Sequence, residues 1–189
     1  MGPPGRRCQG LAVPADLRYP WPMSERDLFP SAQHDHGHCV RDALAAAEIS
    51  CRDQGAKLTP IRRRVLELVW ANHEPVGAYG LLDRLAAEGM KAEPPTVYRA
   101  LDFLLAHGLV HRLERLNAYV GCSHSPGPHA AQFLICTGCG RVAELDDPAI
   151  GAALQDGASA RGFTISRQTV EVEGLCADCR SIIPEPRRR

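Results

Sequence analysis

Four of the eight cysteines in this chain fall into two pairs, Cys136-x-x-Cys139 and Cys176-x-x-Cys179. A Cys-x-x-Cys turn aims two sulfurs to one side of a tight loop, and two such turns complete a tetrahedral S4 cage. Four soft thiolates with no open position select zinc, and a filled coordination shell implies structure rather than catalysis. A single pair would suit redox exchange, but the doubling points to metal. A disulfide framework is the weaker expectation for a chain without a secretory signal, since the cytosol keeps thiols reduced.

Outside the cage stand Cys122, His111, His124, His129 and Glu144, which offer sulfur, nitrogen and oxygen donors around the middle of the chain. Should the two halves fold towards each other, these donors meet at the seam between them. A mixed-ligand site built from both halves would bind metal reversibly and fix their relative orientation; ordinary surface histidines and a structural thiol are the alternative. The run His34-Asp35-His36-Gly37-His38-Cys39 has the composition of an auxiliary metal site. It falls at the end of a stretch read as flexible, so each capture would cost ordering entropy.

The elements that position these groups are legible as capped periodic segments. Helix-period apolar residues predict a first helix over about 39–54, with Val40, Ala43, Leu44, Ala47 and Cys51 on one side. Thr59-Pro60, a hydroxyl N-cap and a first-turn proline, opens a second helix that runs to about Asn72. A third spans about 78–88. The fourth begins at Pro94-Pro95, carries Val97, Leu101, Leu104 and Leu105 on its apolar stripe, and stops at Gly108. Thr96, Tyr98 and Arg99 stand on its other face near the N-terminal end, where a recognition helix meets base edges. Arg62, Arg63 and Arg64 line the second helix, either as a solvated face or as phosphate contacts. The runs 109–115 and 117–121 read as a β-hairpin, and three helices with a hairpin make a winged helix-turn-helix.

The second half predicts strands at 132–135 and 141–145, a helix from Pro148 to about Gly162, and further alternation at Phe163–Ile165 and Val170–Val172. The fold class is therefore α+β. Residues 1–38 read as a disordered extension, 39–121 as the winged helix, 122–130 as a hinge, 131–181 as a metal-binding domain and 182–189 as a basic tail. Met23 is a plausible alternative start. Formal net charge is zero, but residues 57–115 hold nine Lys/Arg against seven Asp/Glu and residues 131–180 four against seven. That asymmetry suits a DNA-binding module joined to one that avoids DNA. No apolar run is long enough to span a bilayer, and a cytoplasmic protein without membrane contact is expected. No nucleophile–base pair, phosphate loop or open catalytic zinc motif points to an enzyme or to a small organic substrate.

Together these blocks resemble the ferric uptake regulator family, and most closely its zinc-sensing branch. The resemblance rests on Lys57-Leu58-Thr59-Pro60, on the run Pro95 to Leu104, on Phe133-x-Ile135-Cys136-x-x-Cys139-Gly140 and on Gly174-x-Cys176-x-x-Cys179. It implies a homodimeric repressor of zinc-uptake genes with zinc as corepressor, in which the second half is the dimerisation domain. By position, His111, Cys122, His129 and Glu144 match the regulatory ligands, and the paired cysteines match the structural site. Tyr79 and Arg99 match positions that reach bases. The His-rich run that iron and peroxide sensors carry before the first cysteine pair is here Ala130-Ala131-Gln132-Phe133, which favours zinc. An iron-, manganese- or peroxide-sensing member of the family stays open, as does a thiol-redox or metal-storage protein on this fold. Ser123 and His124 depart from the pattern, and His124 stands as a possible substitute ligand.

Overall fold

A computed structural model describes Phe29 and residues 36–71, 74–123 and 130–182. The remainder of the N-terminal extension with Met23, His34, the segment with His124 and His129, and the last seven residues lie outside the described residues. Among the described residues, the helices and strands follow in the order α1 (His36–Asp53), α2 (Pro60–Trp70), α3 (Ala78–Ala87), α4 (Pro94–Ala106), β1 (Val110–Leu113), β2 (Ala118–Gly121), β3 (Ala131–Cys136), β4 (Val142–Leu145), α5 (Pro148–Ser159), β5 (Thr169–Gly174) and α6 (Ala177–Ile182).

The first half is a winged helix-turn-helix. Helices α1 to α4 close over one apolar core in which Ala47, Val65, Leu81, Leu85, Val97, Leu101 and Leu104 are fully buried. The stripe predicted for α4 holds for Val97, Leu101 and Leu104, while Ala100 joins it and Leu105 is only partly buried. Both prolines occupy the first turn of α4, where no intrahelical partner is lost. Gly108 ends the helix at φ 65°, a conformation that costs a Cβ-bearing residue. Thr59 does sit at the N-cap of α2, but its hydroxyl makes no capping hydrogen bond; its carbonyl accepts from the Arg63 N–H at 2.9 Å.

Helix α1 starts at His36, three residues earlier than its pattern predicts. His38 and Cys39 therefore belong to a helical turn, not to a flexible tail. Cys39 is buried, whereas His38 is exposed and pairs with Asp42 at 3.4 Å. Successive helix positions send the His38 and Cys39 side chains apart, and His34 of the same run lies outside the described residues.

The wing is the antiparallel pair β1–β2, with Val110 opposite Gly121 and Leu113 opposite Ala118. Its turn spans 114–117, taking residues from both of the runs 109–115 and 117–121, and Asn117 takes φ 46°, a region where asparagine is enriched. A bridge between Val76 and Tyr119 ties the wing to the loop before α3. Gly121 lies against the indole of Trp70, so any Cβ there would overlap the ring. Gly121→Ala is expected to destabilise the first half by about 1–3 kcal/mol. Thermal melting checks this, and Trp70→Leu in the same chain should recover part of the loss.

The second half is a three-stranded sheet in the order β4-β3-β5, with β3/β4 antiparallel and β3/β5 parallel. Its core is small: Ala131, Phe133, Ile135 and Val142 pack with Leu113 and Val120 of the wing. Phe163–Ile165 is not a strand, and Phe163 is exposed. The sheet does not take up the alternation there; β3 is flanked by β4 on one side and β5 on the other. The short helix α6 is not foreseen by any periodic pattern.

Candidate metal centres and nucleic-acid face

Parallel pairing of β3 and β5 explains why four distant cysteines meet. Cys136 ends β3 and lies in register with Gly174 at the end of β5, so both Cys-x-x-Cys turns leave the same end of the sheet. The Thr137 N–H donates to the Gly174 carbonyl at 2.8 Å and locks the two turns together. Gly140, at φ 74°, allows the chain to double back into β4. Helix α6 then turns Cys179 towards the others. The four sulfurs lie within 4.8 Å of one another, and Cys139 and Cys176 stand 3.8 Å apart. That spacing is far too long for a disulfide, at about 2.05 Å. It is the edge of a tetrahedron with metal–sulfur bonds of about 2.3 Å. The donor set fits zinc.

The cage is already prepared for negative charge. Against burial, which raises it, the backbone N–H groups of Cys176, Cys139 and Gly138 bring the Cys136 thiol down. Burial and the neighbouring sulfurs push Cys179 up. Cys136 and Cys179 are thus shifted in opposite directions, and ligation demands that the thiol protons be lost. Arg141, which the spacing argument did not single out, stands over the cage. Its guanidinium donates to Cys139 Sγ at 3.3 Å, to Cys176 Sγ at 3.4 Å and to Asp178 at 2.6 Å. A cation there offsets the net negative charge of four thiolates around a divalent ion.

The second cluster joins the two halves. His111 lies on β1, Cys122 immediately follows β2, and Glu144 lies on β4. The hairpin brings the first two together, with the Cys122 N–H donating to the Leu109 carbonyl at 3.2 Å. Glu144 is directly opposite Phe133 across the β3/β4 pair, so both side chains rise on the face that meets the wing. There Phe133 packs edge-on to the His111 ring at 5.2 Å. Donor atoms of His111, Cys122 and Glu144 lie within 4.8 Å of one another, and His111 Nε2 is 3.2 Å from Glu144 Oε1. One nitrogen, one sulfur and one oxygen are a suitable set for zinc. Burial pushes the His111 imidazole down in pKa, but Cys122 and Glu144 outweigh it and raise it to about 9. The fourth donors named from the sequence, His129 and His124, lie outside the described residues.

Away from the cluster, the wing tip is held by β5. Glu171 accepts from the backbone N–H groups of Glu114 at 2.8 Å and Arg115 at 3.4 Å, and Arg115 pairs with Glu173 at 2.6 Å. These carboxylates were not singled out in the sequence; the alternation of Glu171 and Glu173 along a strand is the signal that could have found them.

On α4, Thr96, Tyr98 and Arg99 are all exposed at the N-terminal end, and Tyr79 at the start of α3 is 71% exposed. Arg62 instead donates to the Lys57 carbonyl at 2.7 Å and lies 3.7 Å over the Phe103 ring. Arg63 pairs with Glu48 and Glu67, and Arg64 with Glu67 and Glu88. These pairs brace α2 against α1 and the end of α3, and a phosphate contact from Arg63 or Arg64 would compete with them.

The family model described as "Ferric uptake regulator family" matches residues 53–173. The zinc uptake regulation protein of Escherichia coli (strain K12) is 40% identical over 141 residues, covering 74% of this chain and 82% of that protein. The Mycobacterium tuberculosis protein of the same name is 31% identical, covering 67% of this chain and 97% of that one. Among solved structures, "Zinc Uptake Regulator Complexed With Zinc AND DNA" superposes with a TM-score of 0.72 at 39% identity, covering 76% of this chain and 96% of the other. "Crystal structure of holo XcZur" gives 0.69 at 46% identity, covering 73% and 96%.

Proposed function

We propose, proceeding from the fact that the chain belongs to the ferric uptake regulator family, that it is a zinc-responsive, sequence-specific DNA-binding repressor of zinc-uptake genes. In this reading it acts in the cytoplasm as a homodimer on inverted-repeat DNA, with zinc as corepressor. The single observation that carries the reading is the His111–Cys122–Glu144 cluster, which takes donors from both halves of the chain. His129 or His124 would complete it from the hinge at 122–130, between a DNA-binding unit at 39–121 and a dimerisation unit at 131–181. Cys136, Cys139, Cys176 and Cys179 form the structural zinc site. The relatives' printed names and the zinc-and-DNA complex support the same assignment.

Zinc supplies a Lewis-acidic crosslink between donors that would otherwise repel or take up protons. His111 and Cys122 would hold it from the wing and Glu144 from the sheet, which would fix how the two halves meet. Thr96, Tyr98, Arg99 and Tyr79 then present one face to a major groove. A two-fold dimer sets two such faces for an inverted repeat. Exposed Leu154, Phe163, Val172 and Ile182 on the second half supply apolar surface for the partner. Among the described residues no helix is long and apolar enough to cross a membrane.

The test is fluorescence anisotropy of a labelled inverted-repeat duplex, titrated with protein stripped at the seam, in buffered Zn2+, Fe2+ or Mn2+. Affinity should rise with free zinc and not with the other ions; equal binding at all zinc levels would overturn the proposal.

The cluster also fixes a pH dependence. His111 has a folded pKa raised above its ordinary 6.5 to about 9. Its protonated form therefore stabilises the metal-free fold fully below pH 6.5, and that contribution is lost as pH rises through about 9. Ligation requires the neutral ring, so zinc must displace this proton wherever the pH lies below about 9. Zinc affinity at the seam should climb with pH between 6.5 and 9, by at most about tenfold per unit from this one proton. Competitive zinc titrations at several pH values check this; a flat line would contradict it.

A further inference from the structure

We propose that Ser123 is a positioning residue that holds Glu144 as a one-oxygen donor and so biases the seam towards a small tetrahedral cation over a larger six-coordinate one. The inference rests on the seam being the zinc site argued above, and it concerns a residue outside the ligand set.

The two oxygens of Glu144 have different surroundings. Oε1 faces His111 Nε2 at 3.2 Å. Oε2 accepts twice from one residue, at 2.9 Å from the backbone N–H of Ser123 and at 2.7 Å from its hydroxyl. The Glu144 side chain is only 5% exposed, so water competes little for that second oxygen. Ser123 also directly follows Cys122. One dipeptide therefore contributes the sulfur and restrains the carboxylate, and the hinge begins at that point.

Two donors on Oε2 engage the lone pairs that a bidentate carboxylate would direct at a metal. Four-coordinate zinc needs a single oxygen from Glu144. Manganese, a harder ion that seeks six oxygen-rich positions, gains from a second. Releasing Oε2 should therefore help manganese more than zinc. Residues that orient ligands in this way commonly change affinity by 10–100-fold.

The experiment uses the full chain with the four-cysteine cage loaded and the seam stripped. Zn2+ and Mn2+ affinities are measured by competition, and Co2+ serves as a spectroscopic probe of coordination number. In Ser123→Ala, which keeps the N–H and loses the hydroxyl, the preference for Zn2+ over Mn2+ should fall by about tenfold. The visible Co2+ bands should weaken towards those of a higher-coordinate site. Ser123→Thr, which keeps the hydroxyl, should restore both. Unchanged selectivity and an unchanged Co2+ spectrum in Ser123→Ala would overturn the proposal, as would an equal loss of affinity for both ions, which marks a merely structural role. Cys122→Ser separates the two levels. If it abolishes Co2+ binding at the seam while Ser123→Ala changes nothing, only the role of Ser123 falls. If Co2+ binding survives Cys122→Ser, the seam assignment falls with it.

Discussion

Cys122→Ser leaves a folded protein whose affinity for inverted-repeat DNA no longer responds to zinc. The sulfur is buried beside His111 and Glu144, yet Cys122 belongs to neither apolar cluster. A serine of nearly the same shape therefore costs little packing. What it removes is the soft, ionisable donor, since a neutral hydroxyl is a poor partner for zinc. Coupling between an effector and a second ligand is typically about 1–3 kcal/mol, or about 5–150-fold in affinity. The expected result is that this zinc-dependent gain collapses to about onefold, while the melting temperature of the metal-free protein stays close to that of the parent. Reciprocity supplies a second readout: operator DNA should tighten zinc at the seam in the parent and not in the variant. A variant that still gains affinity with zinc would remove Cys122 from the ligand set.

How much of this was legible beforehand differs by element, for physical reasons. Helices α2 to α4 were readable because their starts and stops carry their own chemistry, such as the paired prolines of α4 and the positive φ of Gly108. Helix α1 has no such start signal, and in the sequence its first turn reads as part of the N-terminal extension. The cysteine cage was legible from spacing alone, since a Cys-x-x-Cys turn is a local device. Helix α6 was not, because six residues are too few to show a period. Their conformation follows from the closing of the sheet end and the bond from the Arg180 N–H to the Cys176 carbonyl. Phe163–Ile165 failed because alternation specifies a face but not a neighbour, and the neighbour was decided by the parallel register of β5 on β3. His111, Cys122 and Glu144 were named as candidates, but their meeting depends on Leu113 and Val120 packing into the core of the second sheet. Arg141 and Glu171 act on groups far away in sequence, Arg141 on Cys176 and Asp178 and Glu171 on the wing turn. The alternation of Glu171 and Glu173 marks a strand face, but it does not say which distant group that face meets.

Removing one thiolate from the cage should do the opposite of removing Cys122. Cys136→Ser is expected to unfold or greatly weaken the second half while leaving the first intact. The reason is the smallness of the core there. Among the described residues, the apolar cluster there holds Ala131, Phe133, Ile135 and Val142 with Leu113 and Val120 from the wing, and α5 buries no residue fully. A structural zinc site contributes folding free energy directly, and its loss belongs with changes of more than about 4 kcal/mol. Cys136 lies where the two cysteine turns meet. Its sulfur accepts from the Cys176 N–H at 3.3 Å, its carbonyl from the Gly140 N–H at 2.9 Å, and its own N–H donates to the Arg141 carbonyl at 2.9 Å. The four-helix core has its own buried set, so melting should split into a retained transition and a lost or strongly lowered one. Zinc content after dialysis should drop by one equivalent per chain, and sizing should show the dimer giving way to monomer. A variant that keeps that equivalent, melts with the parent and stays dimeric would show that the four sulfurs are not what holds the second half together.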